Sequence, residues 1–223
     1  KCTVLGGVFS GEIEAVGNKV TRFAVGDPVF GSTTMTFGAY AEYLCLPETG
    51  PIALKPAGLS HPEAAVLPFG GATALHFLKK ANIRPGQKVL IYGASGAVGS
   101  AAVQIAKYLG AEVTAVCGPS NLEMVHSLGA DQVIDYTRTN FSKIGQHFDV
   151  VYETVNKAPV AACAAVLKKG GTLILGAAML GEMLQGSWIA MTRGLQLVAG
   201  PTTPNAEAIQ FLQKMAEAGR LKP

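Results

Sequence analysis

Residues Lys88 to Ala111 read KVLIYGASGAVGSAAVQIAKYLGA, and this stretch restricts the folds open to the chain more than any other. Lys88 to Tyr92 is a short apolar run of the kind buried in a parallel sheet. It leads into Gly93, Gly96 and Gly99. Val98, Ala101, Ala102, Ile105, Ala106 and Leu109 then recur at helical spacing, which predicts a helix starting near Ala97 and capped by Gly110. A strand, a glycine turn and a helix in that order aim free N–H groups and the positive end of a helix dipole at one point. A pyrophosphate can rest there. The glycines follow a three-residue beat, unlike the two-then-three beat of GxGxxG. A tight turn that holds no ligand would look similar, so the neighbouring segments matter.

Those segments repeat the unit. Strands are expected at Glu112–Cys117, Val133–Tyr136, Phe148–Tyr152, Thr172–Leu175 and Gln196–Ala199. Helices are expected at Leu122–Leu128, Ala158–Leu167, Gln185–Thr192 and Ala206–Ala218. Ser120 and Glu123 have capping-box spacing. Alternating strands and helices call for a parallel sheet covered on both faces, with ligands at the carboxyl ends of its strands.

The first sixty residues read differently. Glycines and turn residues punctuate short apolar runs, with strands expected at Phe9–Val16, Val29–Phe30 and Ala39–Leu46, a piece of a β-barrel. At Ser60 a capping box with Glu63 opens an alanine-rich helix that Gly70-Gly71 should interrupt. His76 reads as a packed or surface histidine within it. The expected division is residues 1–62 and residues 63–223.

Composition closes off several classes. The 223 residues are 49% hydrophobic, and the net charge of +3 comes from scattered basic residues, which argues against nucleic acid as a partner. No apolar run reaches membrane-spanning length, and no signal peptide is expected at the start of the given residues. The four cysteines show no CxxC spacing, consistent with reduced thiols in a cytoplasmic protein. The chain lacks Met at position 1 and stops just after a helix-like run, so a fragment of a longer chain is expected.

FSGEIEAVG (Phe9–Gly17), RFAVGDPVFG (Arg22–Gly31), GAYAEY (Gly38–Tyr43), EAAVLPFGGATAL (Glu63–Leu75), the Gly86–Ala111 stretch and LGADQVIDY (Leu128–Tyr136) can now be taken together. From Phe9 to Pro223 the chain resembles the medium-chain dehydrogenase/reductase superfamily, in its zinc-independent quinone oxidoreductase-like branch. The resemblance implies an α/β fold. A Rossmann doubly wound parallel sheet would follow a partial GroES-like β-barrel catalytic domain.

The resemblance also implies a cofactor and contacts to it. The second Rossmann strand runs into Gly118-Pro119-Ser120-Asn121 with no acid before Glu123, which favours NADP and leaves NAD open. No Lys or Arg occurs between Lys107 and Arg138, so Ser120, Asn121, Tyr136 and helix amides would have to hold a 2′-phosphate. Ser95, Gly96, Ala97 and Val98 would meet the pyrophosphate. Thr73, Thr154, Val155 and Gly176 would lie near the nicotinamide half.

Zinc relatives carry Gly-His-Glu where this chain has Gly6-Gly7-Val8, and only a short loop stands where a four-cysteine lobe would be. No metal is therefore expected. The implied activity is hydride transfer from NADPH to a small-molecule quinone or α,β-unsaturated carbonyl. Conjugation in such an acceptor spreads the developing charge. Tyr40 could donate a hydrogen bond but reads as barrel packing, so the catalytic residues are left unknown. A nucleotide-binding structural or regulatory protein is the alternative, and a zinc-type alcohol dehydrogenase a weaker one. Leu195–Ala199 should form an edge strand that pairs in a homodimer.

Overall fold

The computed structural model describes residues 4–223. They divide into two compact units: residues up to Thr73 together with Thr202–Pro223, and Ala74–Pro201.

The first unit contains a three-stranded antiparallel sheet, β1 (Val8–Glu12), β2 (Pro28–Ser32) and β3 (Ile52–Leu54), in that order. Gly31 sits where the strands come closest. A Cβ there would lie 2.3 Å from the Pro51 carbonyl oxygen. The expected strand at Ala39–Leu46 does not form. Those residues follow Gly38 at φ +101° in bends, with Tyr40 77% exposed and Tyr43 exposed as well. Their aromatic and apolar residues look strand-like, but only the Ala39 and Tyr40 amides bond to another segment, at the Gly6 and Leu5 carbonyls (3.1 and 2.9 Å), and among the described residues no ladder follows. The expected strand to Val16 stops at Glu12, where the Ile13 amide turns to the Asp27 carbonyl (2.9 Å).

Helix α1 (His61–Lys80) opens on the expected capping box. The Ser60 amide donates to Glu63 Oε2 at 2.8 Å, and the Glu63 amide reaches Ser60 Oγ at 3.5 Å. Pro68 and Gly70-Gly71 lie inside it without ending it. Burial of its apolar residues outweighs the lost backbone bond and the glycine propensity cost, about 3 and 1 kcal/mol in an exposed helix.

The second unit is a six-stranded parallel sheet: β4 (Lys88–Tyr92), β5 (Glu112–Cys117), β6 (Gln132–Asp135), β7 (Phe148–Glu153), β8 (Leu167–Leu175) and β9 (Gln196–Ala199). The spatial order is β6-β5-β4-β7-β8-β9, so consecutive strands run outward from β4 in one direction and resume from β7 in the other. This is the doubly wound order, with its switch point between β4 and β7. Helices α2 (Ala97–Tyr108), α3 (Leu122–Ser127), α4 (Val160–Ala165) and α5 (Leu180–Arg193) connect the strands. Val89, Leu90 and Ile91 are all fully buried, as a strand covered on both faces requires. Leu90, Val151, Leu173 and Ile189 belong to one apolar cluster. Truncating a residue such as Leu90 to Ala would cost about 2–5 kcal/mol.

Several boundaries differ from the periodicity. Strand β8 begins at Leu167, because Gly170 and Gly171 stay within the strand. A Cβ on Gly171 would lie 3.0 Å from the Asp149 carbonyl of the adjacent β7. Helix α4 is shortened accordingly. Helix α5 starts five residues early, where the Met179 amide bonds to Glu182 Oε2 at 3.1 Å.

Helix α6 (Ala206–Glu217) buries Ile209, Leu212 and Met215, as its 3.6-residue stripe requires, and packs against β3. Gly71 of α1 makes room for it. A Cβ there would lie 2.7 Å from both Leu212 methyl carbons. The compact units therefore cut the chain at Thr73 and return the last 22 residues to the first unit, unlike a division into 1–62 and 63–223. Helical spacing shows which face of α6 is apolar and says nothing of which sheet receives it.

Candidate dinucleotide-binding site

The carboxyl ends of β4 and β7 flank the switch point, and the turn from β4 into α2 is built almost wholly from backbone. Gly93 turns the chain at φ +82°, and both its amide and that of Ala94 donate to the Val116 carbonyl at 3.0 Å. The Gly96 amide closes back on the Gly93 carbonyl at 3.1 Å. Gly96 is the N-cap of α2 in extended backbone and brings no side chain to cap the helix. The first amides of α2, at Ala97 and Val98, have no intrahelical acceptor. A Cβ on Gly96 would meet only the Gly93 carbonyl, at 3.6 Å. A twelve-residue helix thus presents bare amides, with its positive dipole end toward exposed ground at Gly96 and Ala97. This cradle fits a pyrophosphate.

The other two glycines serve the fold. A Cβ on Gly99 would fall 2.1 Å from the Gly93 carbonyl oxygen, and one on Gly93 would fall 2.6 Å from Thr154 Oγ1 and 2.7 Å from Val155 Cγ1. The start of α2 therefore lies backbone to backbone on the turn, and the Thr154 and Val155 side chains at the end of β7 close over Gly93.

On the β7 side, Thr154 is buried and its hydroxyl donates to the Tyr92 carbonyl at 2.8 Å, so its side chain locks β7 to β4. Val155 is exposed beside it. Gly176, after β8, donates its amide to the Glu153 carbonyl at 2.8 Å, and its missing side chain leaves room for the Tyr152 ring, 2.7 Å from a Cβ at that point. The Tyr152 hydroxyl is buried without a hydrogen-bond partner. Burial, with Glu153 nearby, raises its pKa well above the usual phenol range.

On the β5 side, the Ser120–Glu123 capping box does not form. A 3-10 turn over Pro119–Asn121 precedes α3, and neither helix start has a side-chain cap. Tyr136 follows β6 and is 54% exposed. Its hydroxyl lies 3.4 Å from where a Cβ on Gly118 would stand, and its ring is 6.5 Å from that of Tyr92. Asp135 at the end of β6 accepts from the Thr137 hydroxyl at 2.7 Å and its amide at 2.8 Å, and those bonds hold its carboxyl below the ordinary range.

Residues 97–215, more than half of the chain, match the family described as Zinc-binding dehydrogenase. Residues 2–56 match the Alcohol dehydrogenase GroES-like domain. The chain belongs to the medium-chain dehydrogenase/reductase superfamily, in its quinone oxidoreductase-like branch.

It is 35% identical over 230 residues to the 2-methylene-furan-3-one reductase of Solanum lycopersicum, covering 99% of this chain and 55% of that one. It is 33% identical over 238 residues to the chloroplast envelope quinone oxidoreductase homolog of Arabidopsis thaliana, covering 96% of this chain and 68% of that one. The solved quinone oxidoreductase of Coxiella burnetii superposes with a TM-score of 0.86 at 29% identity, covering 98% of this chain and 69% of that one. The chain thus spans little more than half the length of the tomato reductase.

The second unit brings Ser95, Gly96, Ala97, Val98, Thr154, Val155 and Gly176 to adjoining strand ends, with Ser120, Asn121 and Tyr136 following β5 and β6. Thr73 lies on α1 within the first unit. Among the described residues no group of three or more His, Cys, Asp or Glu is arranged to hold a metal, and no helix is long and apolar enough to cross a membrane. Sequence reasoning missed Glu153, which ends β7 yet is 2% exposed. A signal was available: an acid closing the apolar run Phe148-Asp-Val-Val-Tyr-Glu153 sits where water is excluded.

Proposed function

We propose that this chain is the cofactor-binding core of an NADPH-dependent reductase that works without zinc and delivers hydride to a quinone or an α,β-unsaturated carbonyl. The observation that carries this reading is the bare amide cradle at the start of α2, set at the switch point of the sheet. A bound reduced nicotinamide would supply the hydride. In this reading the amides of Ala97 and Val98, with Ser95 and Gly96, hold the pyrophosphate. Thr73, Thr154, Val155 and Gly176 border the nicotinamide half, while Ser120, Asn121 and Tyr136 border the adenosine half.

NADP is favoured over NAD because no acidic side chain follows β5 before Glu123 to repel a 2′-phosphate. The relatives' names point the same way for the acceptor. One is a reductase of a methylene-furanone and another is a quinone oxidoreductase homolog. Free thiols at Cys45, Cys117 and Cys163 suit a cytoplasmic protein. A homodimer is proposed through β9, an outer strand of the sheet. On the preceding helix Leu180, Leu184, Trp188 and Met191 form an exposed apolar stripe.

The test follows loss of nicotinamide absorbance with NADPH and NADH against a panel of quinones and enones, with sedimentation run in parallel. Turnover with NADPH in a dimer is the expected result. Binding without turnover by the full-length protein would favour a nucleotide-binding regulatory role instead.

A further inference from the structure

The carboxylate of Glu153 is buried at the end of β7, and backbone amides fill it. Oε1 accepts from the Val155 amide at 3.2 Å and the Lys157 amide at 3.0 Å, and Oε2 accepts from Asn156 at 2.7 Å. Three donors converge on one side chain two to four residues behind them. The turn they belong to passes through the left-handed region at Asn156, φ +53°, a conformation that asparagine tolerates better than other non-glycine residues. The same turn contacts the glycine turn at Gly93. The Glu153 carbonyl also receives the Gly176 amide. One residue therefore ties together the exits of β4, β7 and β8.

We infer that Glu153 is a positioning residue. Its carboxylate holds the Val155–Lys157 backbone in the shape that seats the nicotinamide half of the dinucleotide. This rests on the proposed cofactor reading. The two halves of a doubly wound sheet each take one half of a dinucleotide, and β7 and β8 belong to the half that does not contain β5 and β6. An apolar residue would leave three partly buried N–H groups without the acceptors they have here. Glutamine would offer one acceptor oxygen and turn its own N–H groups toward those amides. Only a carboxylate has enough lone pairs, on two oxygens, for all three.

The test compares wild type and Glu153→Gln by titration with NADPH and with 2′-phospho-ADP-ribose, the same molecule lacking nicotinamide. The expected result is roughly a tenfold or greater loss of NADPH affinity, with the fragment affinity held within about twofold. Hydrogen exchange at Val155–Lys157 should quicken in the ligand-free variant while the amides of α2 keep their rate. Should the glutamine variant not fold, Glu153→Asp, which keeps the charge on a shorter arm, should show the same selective loss in milder form. Unchanged NADPH affinity, or equal losses for NADPH and the fragment, overturns the inference while leaving the cofactor reading intact. A wild-type protein that binds neither molecule overturns both.

Discussion

The carbonyl oxygen of Gly93 lies 2.1 Å from the point where a Cβ on Gly99 would stand, while a Cβ on Gly96 would have 3.6 Å to the same oxygen. Two glycines three residues apart therefore answer to different demands. Gly99→Ala should destabilise the protein by about 3 kcal/mol, because a backbone oxygen cannot step aside as a side chain does. Gly96→Ala should melt within a degree or two of wild type yet lose most of its NADPH affinity, since the new methyl projects beside the amides that would face the pyrophosphate. Thermal melts with parallel nucleotide titration separate the two effects.

Tyr152 carries a buried hydroxyl without a partner. Tyr152→Phe removes that group and keeps the ring against Phe77, 5.6 Å between centroids. The variant should be as stable as wild type or more so, by about 0–1 kcal/mol. Chemical denaturation with an unchanged m-value is the check, and a loss above about 1 kcal/mol would show that the hydroxyl is satisfied in solution.

Asp149 joins the entry ends of three strands. It accepts the Lys88 amide of β4 at 2.8 Å and the Lys168 ammonium of β8 at 2.8 and 2.9 Å. Partial burial pushes its carboxyl upward, but the Lys168 hydrogen bond and the Lys88 amide outweigh that and hold it below the ordinary range. A carboxyl depressed in the folded state contributes stability above its unfolded pKa, about 3.9, and loses it as pH falls through the folded value. Asp149→Asn should therefore cost about 1–2 kcal/mol at pH 7, and its gap from wild type should narrow below pH ~4. Urea titrations at pH 7 and pH 3 read both points.

Cys163 is buried in the core, which pushes its thiol up to about 12, with Glu153 adding to the effect. Cys117 is likewise buried and raised. Cys45 is exposed. Brief iodoacetamide treatment followed by peptide mapping should find Cys45 alkylated and Cys117 and Cys163 intact, because the thiolate is the reacting form.

The second unit was largely legible in the sequence. Strands buried on both faces, such as Lys88–Tyr92 and Glu112–Cys117, appear as unbroken apolar runs between glycines, and both occur at the expected residues. The first unit was less so. Ala39–Leu46 has strand composition without a strand's partner, whereas β3 is only three residues long and leaves too short a pattern to read. At the candidate site, the α2 amides follow from local chain order and could be placed by sequence. Glu153 shows in the sequence only as an acid closing an apolar run, and its three amide partners depend on how the turn after β7 folds. The Ser120–Glu123 box failed because Pro119 opens a 3-10 turn one residue earlier.

The central claim is that a dinucleotide rests its pyrophosphate on the first amides of α2. A crystal of the protein grown with NADPH tests it most directly. The account predicts the phosphate oxygens within hydrogen-bond distance of the Ala97 and Val98 amides, with the nicotinamide lying toward Val155 and Gly176. Pyrophosphate density elsewhere on the protein, or a nicotinamide lying toward β5 and β6, would contradict it.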